Sequence, residues 1–242
     1  MTKKILKKFL PLSFLYSYRK LRLFVKSWLF LPSSVRIIAN GKEACLSTRG
    51  FPTANIAFWL KTKDIMDYEP QERALIEPCL KNANCFWDIG AQFGFYAIVA
   101  ALHNIPHIVA VDIDKRYCEE IKKHAKVNHL NIRVENAATG ISGTEVRFVN
   151  YGATTTRKAI SLDDLVKITG VKPNVIKIDI DGGETATLKG APDLLSIPSA
   201  QAPAIIIEFL DQHNDTAELK NILEGYGYRL MEKSGNNTFW QK

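Results

Sequence analysis

Residues 1 to 42 hold no aspartate or glutamate, while ten lysines and arginines from Lys3 to Lys42 give that stretch a charge of +10. With a formal net charge of +7 over 242 residues, the remaining 200 sum to −3, so the basicity belongs to an N-terminal arm. Cysteine is scarce. Cys45, Cys79, Cys85 and Cys118 show no Cys-x-x-Cys spacing, which argues against a zinc site or a disulfide framework and makes a reducing cytoplasm the expected compartment. No uncharged apolar run approaches the roughly 20 residues that a bilayer span needs. The basic start is followed by no small-residue cleavage site of the signal-peptide kind. There is no internal repeat, no low-complexity segment and no Pro-rich linker.

The organisation expected from these patterns is a basic amphipathic arm over 1–34, a β-hairpin extension on the substrate side over 35–69, and one α/β domain over 70–242. In the arm, Phe14, Leu21, Phe24, Trp28 and Leu31 share a helical face, with Arg19, Arg22 and Lys26 on another. Three readings of it stay open: an interfacial helix on an anionic membrane, a helix docked on the domain or on a second subunit of a homo-oligomer, and nucleic-acid contact. Nucleic acid ranks last, because the density of Leu and Phe exceeds what a phosphate-tracking arm needs. Asn40-Gly41 between two short apolar runs predicts a β-hairpin, and Gln71–Leu80 a helix leading into the domain.

The richest stretch is Asp88-Ile89-Gly90-Ala91-Gln92-Phe93-Gly94-Phe95-Tyr96, which joins an apolar strand to an apolar helix through a turn with two glycines. Such a turn lets the backbone approach a ligand, and the N–H groups opening the next helix point into the same space. A dinucleotide fold calls for Gly-x-Gly-x-x-Gly, whose middle glycine makes room for a pyrophosphate; Gln92 stands there instead. That favours S-adenosylmethionine (SAM) over NAD. Ile108–Val111 then reads as a buried parallel strand ending in Asp112, twenty-four residues after Asp88, the interval at which an acid meets a ribose in such units. Asp114, just before a helical stretch from Lys115 to Asn128, suits a helix cap better. A third strand, Ile132–Glu135, ends at Asn136, a small polar group suited to an adenine edge.

Further on, Val175 to Ile180 reads as a buried strand, with Lys177, Asp179 and Asp181 on one side and Ile176, Ile178 and Ile180 on the other. Asp181 and Glu184 flank the Gly182-Gly183 turn at its carboxyl end, where open α/β sheets hold ligands. Ala204–Glu208 is another buried strand ending in a carboxylate. A helix near Thr216–Glu224 and a hairpin of Tyr228–Met231 with Thr238–Trp240 close the domain. Leu162 to Ile168 reads as a short helix, with Asp163-Asp164 at its start.

Asp88-x-Gly90-Ala91-x-x-Gly94-x-Tyr96, Ser161-Leu162-Asp163-Asp164-Leu165, Lys177-Ile178-Asp179-x-x-Gly182-x-Glu184 with Leu188-Lys189-Gly190-Ala191, and Ile205-Ile206-Ile207-Glu208 together resemble the FkbM family of SAM-dependent methyltransferases over roughly residues 83 to 232. The resemblance implies a Rossmann-like class I methyltransferase sheet, mostly parallel, with O-methylation of a sugar or polyketide hydroxyl as the usual reaction. Two positions depart from the family: Gln92 where Asn is common and Asp181 where Glu is common. Carried over position by position, Asp88, Gly90, Gln92 and Gly94 would hold the methionine end of SAM, Asp112 the ribose, Asn136 the adenine, and Asp179 would lie near the sulfonium. Asp181, Glu184 and Glu208 would then face the acceptor, with His213 as a candidate general base. No metal is required; a hard cation on Asp179, Asp181 and Glu208 is the competing solution.

The expected function is therefore SAM-dependent O-methylation of a sugar hydroxyl on a glycan or lipid-linked glycan precursor, or of another small-molecule hydroxyl acceptor, in the cytoplasm or on the inner face of the membrane. The alternatives are an RNA or protein methyltransferase and a non-catalytic partner-binding subunit. Against base N-methylation, no Asn-Pro-Pro-Tyr loop follows Ile180; Asp-Gly-Gly stands there.

Overall fold

The structure, a computed structural model, describes residues 34–47, 68–150, 153–208 and 216–242. The basic arm over 1–33, residues 48–67 of the extension, and His213 lie outside the described residues. The chain divides into two compact units: Ile38–Ala44 with Glu69–Lys242, and Met1–Ile37 with Cys45–Tyr68.

The first of these units holds a seven-stranded sheet. Its strands are β3 (Cys85–Ile89), β4 (His107–Asp112), β5 (Arg133–Asn136), β9 (Val175–Ile178), β10 (Ala204–Glu208), β11 (Arg229–Ser234) and β12 (Asn237–Gln241), in the order β11-β12-β10-β9-β3-β4-β5. From β5 to β10 every pairing is parallel; β12 runs antiparallel to β10 and to β11. The connections run outward from β3 to β4 and β5, then return to β9 on the other side of β3. The carboxyl ends of β3 and β9 thus border the crevice where such sheets bind ligands.

The parallel strands are apolar because both their faces are covered. On one face Trp87, Ile89, Val109, Val111, Ile176, Ile178, Ile205 and Ile207 pack with leucines of α4 (Leu162–Thr169), α5 (Glu184–Lys189), α6 (Pro192–Leu195) and α7 (Thr216–Gly225). The other face carries α1 (Pro70–Leu80), α2 (Phe95–Leu102) and α3 (Lys115–Val127). Each fully buried isoleucine of β9 and β10 contributes roughly 1.5–3 kcal/mol. That is enough for these strands to carry an ionised residue at Lys177.

Local sequence accounts for most element ends. Asp114 caps α3, accepting from Arg116 N at 2.9 Å, and Ser161 Oγ caps α4, accepting from Asp164 N at 3.0 Å. Strands β1 (Ser34–Ala39) and β2 (Lys42–Ser47) are paired across Asn40 (φ 50°) and Gly41 (φ 70°), the two left-handed residues of a tight hairpin turn. Asn40 Nδ2 donates to Leu102 O at 3.3 Å and Lys42 Nζ reaches Asn104 Oδ1. The hairpin tip is therefore tied to the C-terminal end of α2, about 12 Å along that helix from the glycine turn.

Two features differ from the sequence expectation. The strand expected to run to Ile180 ends at Ile178, and Asp181 adopts φ 55°, so the alternation that put Asp181 beside Lys177 and Asp179 is broken. A three-stranded sheet, β6 (Ala138–Thr139), β7 (Glu145–Asn150) and β8 (Ala153–Ile160) in the order β6-β8-β7, stands between β5 and α4. Its threonine-rich strand lacks the apolar alternation that marks the others.

The Ile178 stop has a packing cause. Gly90 (φ 84°) sits so close to the chain leaving β9 that an added Cβ would stand 1.7 Å from the Asp179 carbonyl oxygen. Gly90→Ala is accordingly expected to cost about 3 kcal/mol or more, combining overpacking with left-handed strain. Gly143→Ala, with φ 78° but open space around it, should cost only about 1–2 kcal/mol. Urea unfolding of the two variants checks this; equal losses would show that the Asp179 contact does not control the turn.

Candidate active site

The glycine turn is set by hydrogen bonds between strands. Gly90 N and Ala91 N both donate to Val111 O, at 2.9 and 3.0 Å, and Asp179 N donates to Ile89 O at 3.0 Å. Asp88 is buried, and its Oδ2 accepts from Ala97 N in the first turn of α2 at 3.1 Å. Asp112, also buried, accepts from Gln92 N at 2.8 Å and from Asp114 N at 2.7 Å, one bond to each oxygen. Each of those oxygens keeps a second lone pair. Asn136 Nδ2 donates to Asp112 O at 2.9 Å and Ile113 O at 3.0 Å, which fixes the loop after β4. Gln92 takes φ 46° and its side chain is exposed.

Beside this turn lies a cluster that sequence spacing shows only in part. Lys177 is 2% exposed, and its Nζ lies 2.9 Å from Asp179 Oδ2, 3.8 Å from Glu72 Oε1, 4.0 Å from Asp88 Oδ1 and 5.1 Å from the centre of the Tyr96 ring. Tyr96 in turn donates from its hydroxyl to Glu69 Oε2 at 3.1 Å. Three carboxyl groups, from α1, β3 and the residue after β9, therefore lie within 4.0 Å of one ammonium group, and Glu208 at the end of β10 feels the charge of both Asp179 and Lys177.

The protonation states follow from burial and that one cation. Burial works against a charged Lys177, but Asp179, Glu72 and Asp88 outweigh it and hold its ammonium well above the usual lysine range. Burial likewise opposes an ionised Asp179, yet Lys177 beside it holds that carboxyl below the usual value. For the other acids burial prevails: Asp88 and Asp112 are pushed up to about 6, and Glu72 and Glu208 to about 8.

Of the other sequence candidates, Glu184 is buried with Oε1 accepting from Ile180 N at 3.1 Å and Oε2 from Gly182 N at 3.0 Å. Its carboxylate holds the loop after β9 from inside, so it shapes that loop and does not face an acceptor. Asp181, on the loop's outer side, is exposed. Asp163 accepts from Asp193 N and Leu194 N, both at 2.9 Å, and so anchors the start of α6. Glu69 and Glu72 escaped sequence reasoning because acids at a helix start already have a reason to be there. Among the described residues, no three His, Cys, Asp or Glu side chains are grouped so as to hold a metal ion.

Methyltransferase chemistry calls for a pocket that accepts a cationic donor, and the residues fit one: carboxyl groups outnumber cations, and the buried Glu72 Oε1 and Asp88 Oδ1 lack hydrogen-bond partners. The family model for the methyltransferase FkbM domain matches residues 62–230. Among solved structures, the Escherichia coli protein yhhF, described as a methyltransferase, is 14% identical with a TM-score of 0.50, covering 86% of this chain and 98% of its own. A ribosomal protein L11 methylase from Lactobacillus delbrueckii subsp. bulgaricus is 16% identical at TM-score 0.45, covering 71% of this chain and 74% of its own. An O-methyltransferase from Bacillus cereus in complex with SAH is 16% identical at TM-score 0.45, covering 77% and 86%. At such identity the likeness to yhhF speaks for the fold alone. No curated protein matches the chain significantly.

The raised carboxyl values make stability depend on pH. Asp88, Asp112, Glu72 and Glu208 bind protons more tightly folded than unfolded, so the stability this gives is complete near pH 4 and lost as pH rises through about 6 and about 8. Asp179, shifted the other way, already contributes fully at pH 5. The ligand-free protein should therefore resist urea better at pH 5 than at pH 8.5. Lys177→Met should cost about 3–5 kcal/mol at the higher pH, where it strands buried charge, and less at the lower. A pH-independent penalty would remove Lys177 from its role as counter-charge.

Proposed function

The chain belongs to the FkbM family of SAM-dependent methyltransferases, and from that premise we propose that it methylates a hydroxyl oxygen, most suitably that of a sugar in a glycan or lipid-linked glycan precursor. Bound SAM supplies an electrophilic methyl group on a sulfonium. The protein has to hold that cation, orient the acceptor and take the hydroxyl proton.

On this reading the Gly90–Gly94 turn, with Asp88 behind it and Gln92 at its rim, receives the methionine end. Asp112 accepts from the ribose hydroxyls through the lone pairs left on its two oxygens, and Asn136 borders the adenine. Asp179, kept ionised by Lys177, lies toward the sulfonium, where a fixed carboxylate favours positive charge. Glu184 acts as a positioning residue, because it holds the loop that presents Asp181 to the acceptor.

The observation that carries a hydroxyl acceptor is Glu208. It stands half-buried at the carboxyl end of β10, where burial and the neighbouring Asp179 push it up to about 8. A carboxyl titrating near neutrality is matched to removing a proton from an alcohol as the carbon–oxygen bond forms. A run of carboxyls, Asp179, Asp181 and Glu208, also suits a polyol, whose adjacent hydroxyls are donors. His213 follows β10 in sequence and is the other candidate for the base.

Calorimetry and methyl-transfer assays separate these roles. Asp112→Ala is expected to weaken SAM binding by about 1.5–3 kcal/mol by removing a doubly used acceptor. Glu208→Gln should slow transfer by about 10²–10⁴ while leaving most SAM affinity intact. Tight NAD binding without SAM binding would overturn the cofactor roles. Full activity in Glu208→Gln together with loss in His213→Ala would move the base to His213.

The arm gives the reading its location. Its eight basic residues and its Phe24 and Trp28 support contact with an anionic membrane surface, where a lipid-linked acceptor would be found. No helix among the described residues is long and apolar enough to cross a membrane. Flotation with liposomes should show binding that requires anionic lipid, weakens as salt rises and drops when Phe24 and Trp28 become Ala. Collapse of the melting temperature on deleting residues 1–31 would instead show the arm to be packed structure.

A further inference from the structure

The last strand brings to the crevice a side chain that lies apart from the acids around Lys177. Asn237 opens β12 and stands directly opposite Glu208, the residue that ends β10, in the antiparallel register of the two strands. Residues opposed in this way point to one face, with Cβ atoms roughly 4.5–5.5 Å apart. That face is the one Lys177 occupies: Ile206 is opposite Lys177 in β9 and opposite Phe239 in β12, and Glu208 and Asn237 lie two residues along from Ile206 and Phe239. Asn237 is 9% exposed, and its Oδ1 is buried without a hydrogen-bond partner. Its neighbour Thr238, on the opposite face, is by contrast fully engaged, with Oγ1 donating to Ile207 O at 3.2 Å and accepting from Trp240 Nε1 at 3.0 Å. The backbone that carries Asn237 is held in place, because Ser234 pairs with it across the Gly235-Asn236 turn and Gly235, at φ 62°, is seated against Gln71 Oε1 at the start of α1. A buried amide oxygen so fixed, at the edge where the sheet receives ligands, lacks a donor that a ligand can supply.

We propose that Asn237 binds the acceptor and selects a vicinal diol: Glu208 takes the proton of the hydroxyl that is methylated, and Asn237 Oδ1 accepts a hydrogen bond from the hydroxyl on the adjacent carbon. This rests on the reading of Glu208 as the base and names the chemistry that the site requires beside it. The acceptor oxygen gains the methyl carbon as the carbon–sulfur bond breaks and leaves its electron pair on sulfur. Its proton passes to Glu208, and the neighbouring hydroxyl keeps its own. A neutral amide oxygen suits a neutral donor, whereas an ammonium group would be drawn to the carboxyl groups around Lys177. The short span between two opposed side chains also matches adjacent hydroxyls of one ring better than groups farther apart. A hydroxyl acceptor without a second hydroxyl beside it would leave the Asn237 oxygen buried and unpaired, which is how a site of this kind discriminates.

The test is methyl transfer by the full chain from methyl-labelled SAM to a set of methyl hexosides and to the monodeoxy forms of each. A hexoside that is methylated should lose about 10–100-fold in kcat/KM when the hydroxyl next to the methylated one is removed. Asn237→Ala should lower kcat/KM on the complete hexoside by a similar factor, through KM and with SAM affinity retained, so that the preference for the diol disappears. Glu208→Gln should instead lower kcat on both. Equal losses in Asn237→Ala on complete and monodeoxy hexosides, or no loss, would overturn the proposal even with Glu208 upheld as the base. If no hexoside is methylated, the sugar reading fails, and the Asn237 site is decided separately by nuclear magnetic resonance on the chain carrying isotope-labelled asparagine in the presence of S-adenosylhomocysteine. The Asn237 side-chain amide signal should then shift with methyl hexosides and not with cyclohexanol; a signal that neither moves strikes the site. The same measurement decides if Asn237→Ala fails to fold, because it uses the unaltered chain.

Discussion

One buried ammonium group organises the edge of this sheet. Lys177 sits in the third position of a four-residue central strand, where an unpaired charge would be prohibitive. It is tolerated because Asp179, two residues on, lies within 2.9 Å, while Glu72 and Asp88 stand at about 4 Å. Each partner comes from a different element, so the lysine ties α1, β3 and β9 together at the point where the strand order reverses. Removing a partner does more than lose a bond, because the remaining charges lose their compensation in a medium of low polarity.

That arrangement depends on the apolar strands around it. Ile176, Ile178, Ile205, Ile206 and Ile207 are at most 1% exposed, and their packing sets the positions from which the charged side chains project. Gly90 adds a second constraint: only a residue without a Cβ lets the backbone leaving β9 pass so close to the turn after β3. The ligand-facing geometry thus comes from a backbone contact and a buried lysine acting together. Neither is a surface loop free to adjust.

Much of this was legible in the sequence, and for identifiable reasons. Two-sided burial leaves near-continuous Val and Ile runs, so β4, β9 and β10 stood out, and cap residues such as Asp114 marked helix starts. Glycine spacing after β3 located the crevice. What escaped was whatever depends on contacts distant in sequence. Glu72 lies 105 residues before Lys177 in the chain, and nothing in its own neighbourhood sets it apart from an ordinary acid in a helix's first turn. Glu184 misled for the converse reason: its place beside Gly182-Gly183 marked the correct loop, but whether a carboxylate faces outward or binds its own backbone is decided by the left-handed turn at Asp181.

The acids themselves are not equivalent, although all are carboxyl groups in one cluster. Asp179 touches the lysine directly and is held ionised; Glu72 and Glu208, where burial prevails, retain protons to about 8. A single cation thereby sorts its neighbours into a permanent anion and two proton-bearing groups, one toward α1 and one toward β10. On the methyltransferase reading, Glu208 is the one that bears on transfer to a hydroxyl. An acceptor that must lose a proton is best held beside a carboxyl that has given up its own, which for Glu208 happens as pH rises through about 8. Direct contact with the lysine holds Asp179 ionised, while burial without such contact leaves Glu72 and Glu208 their protons.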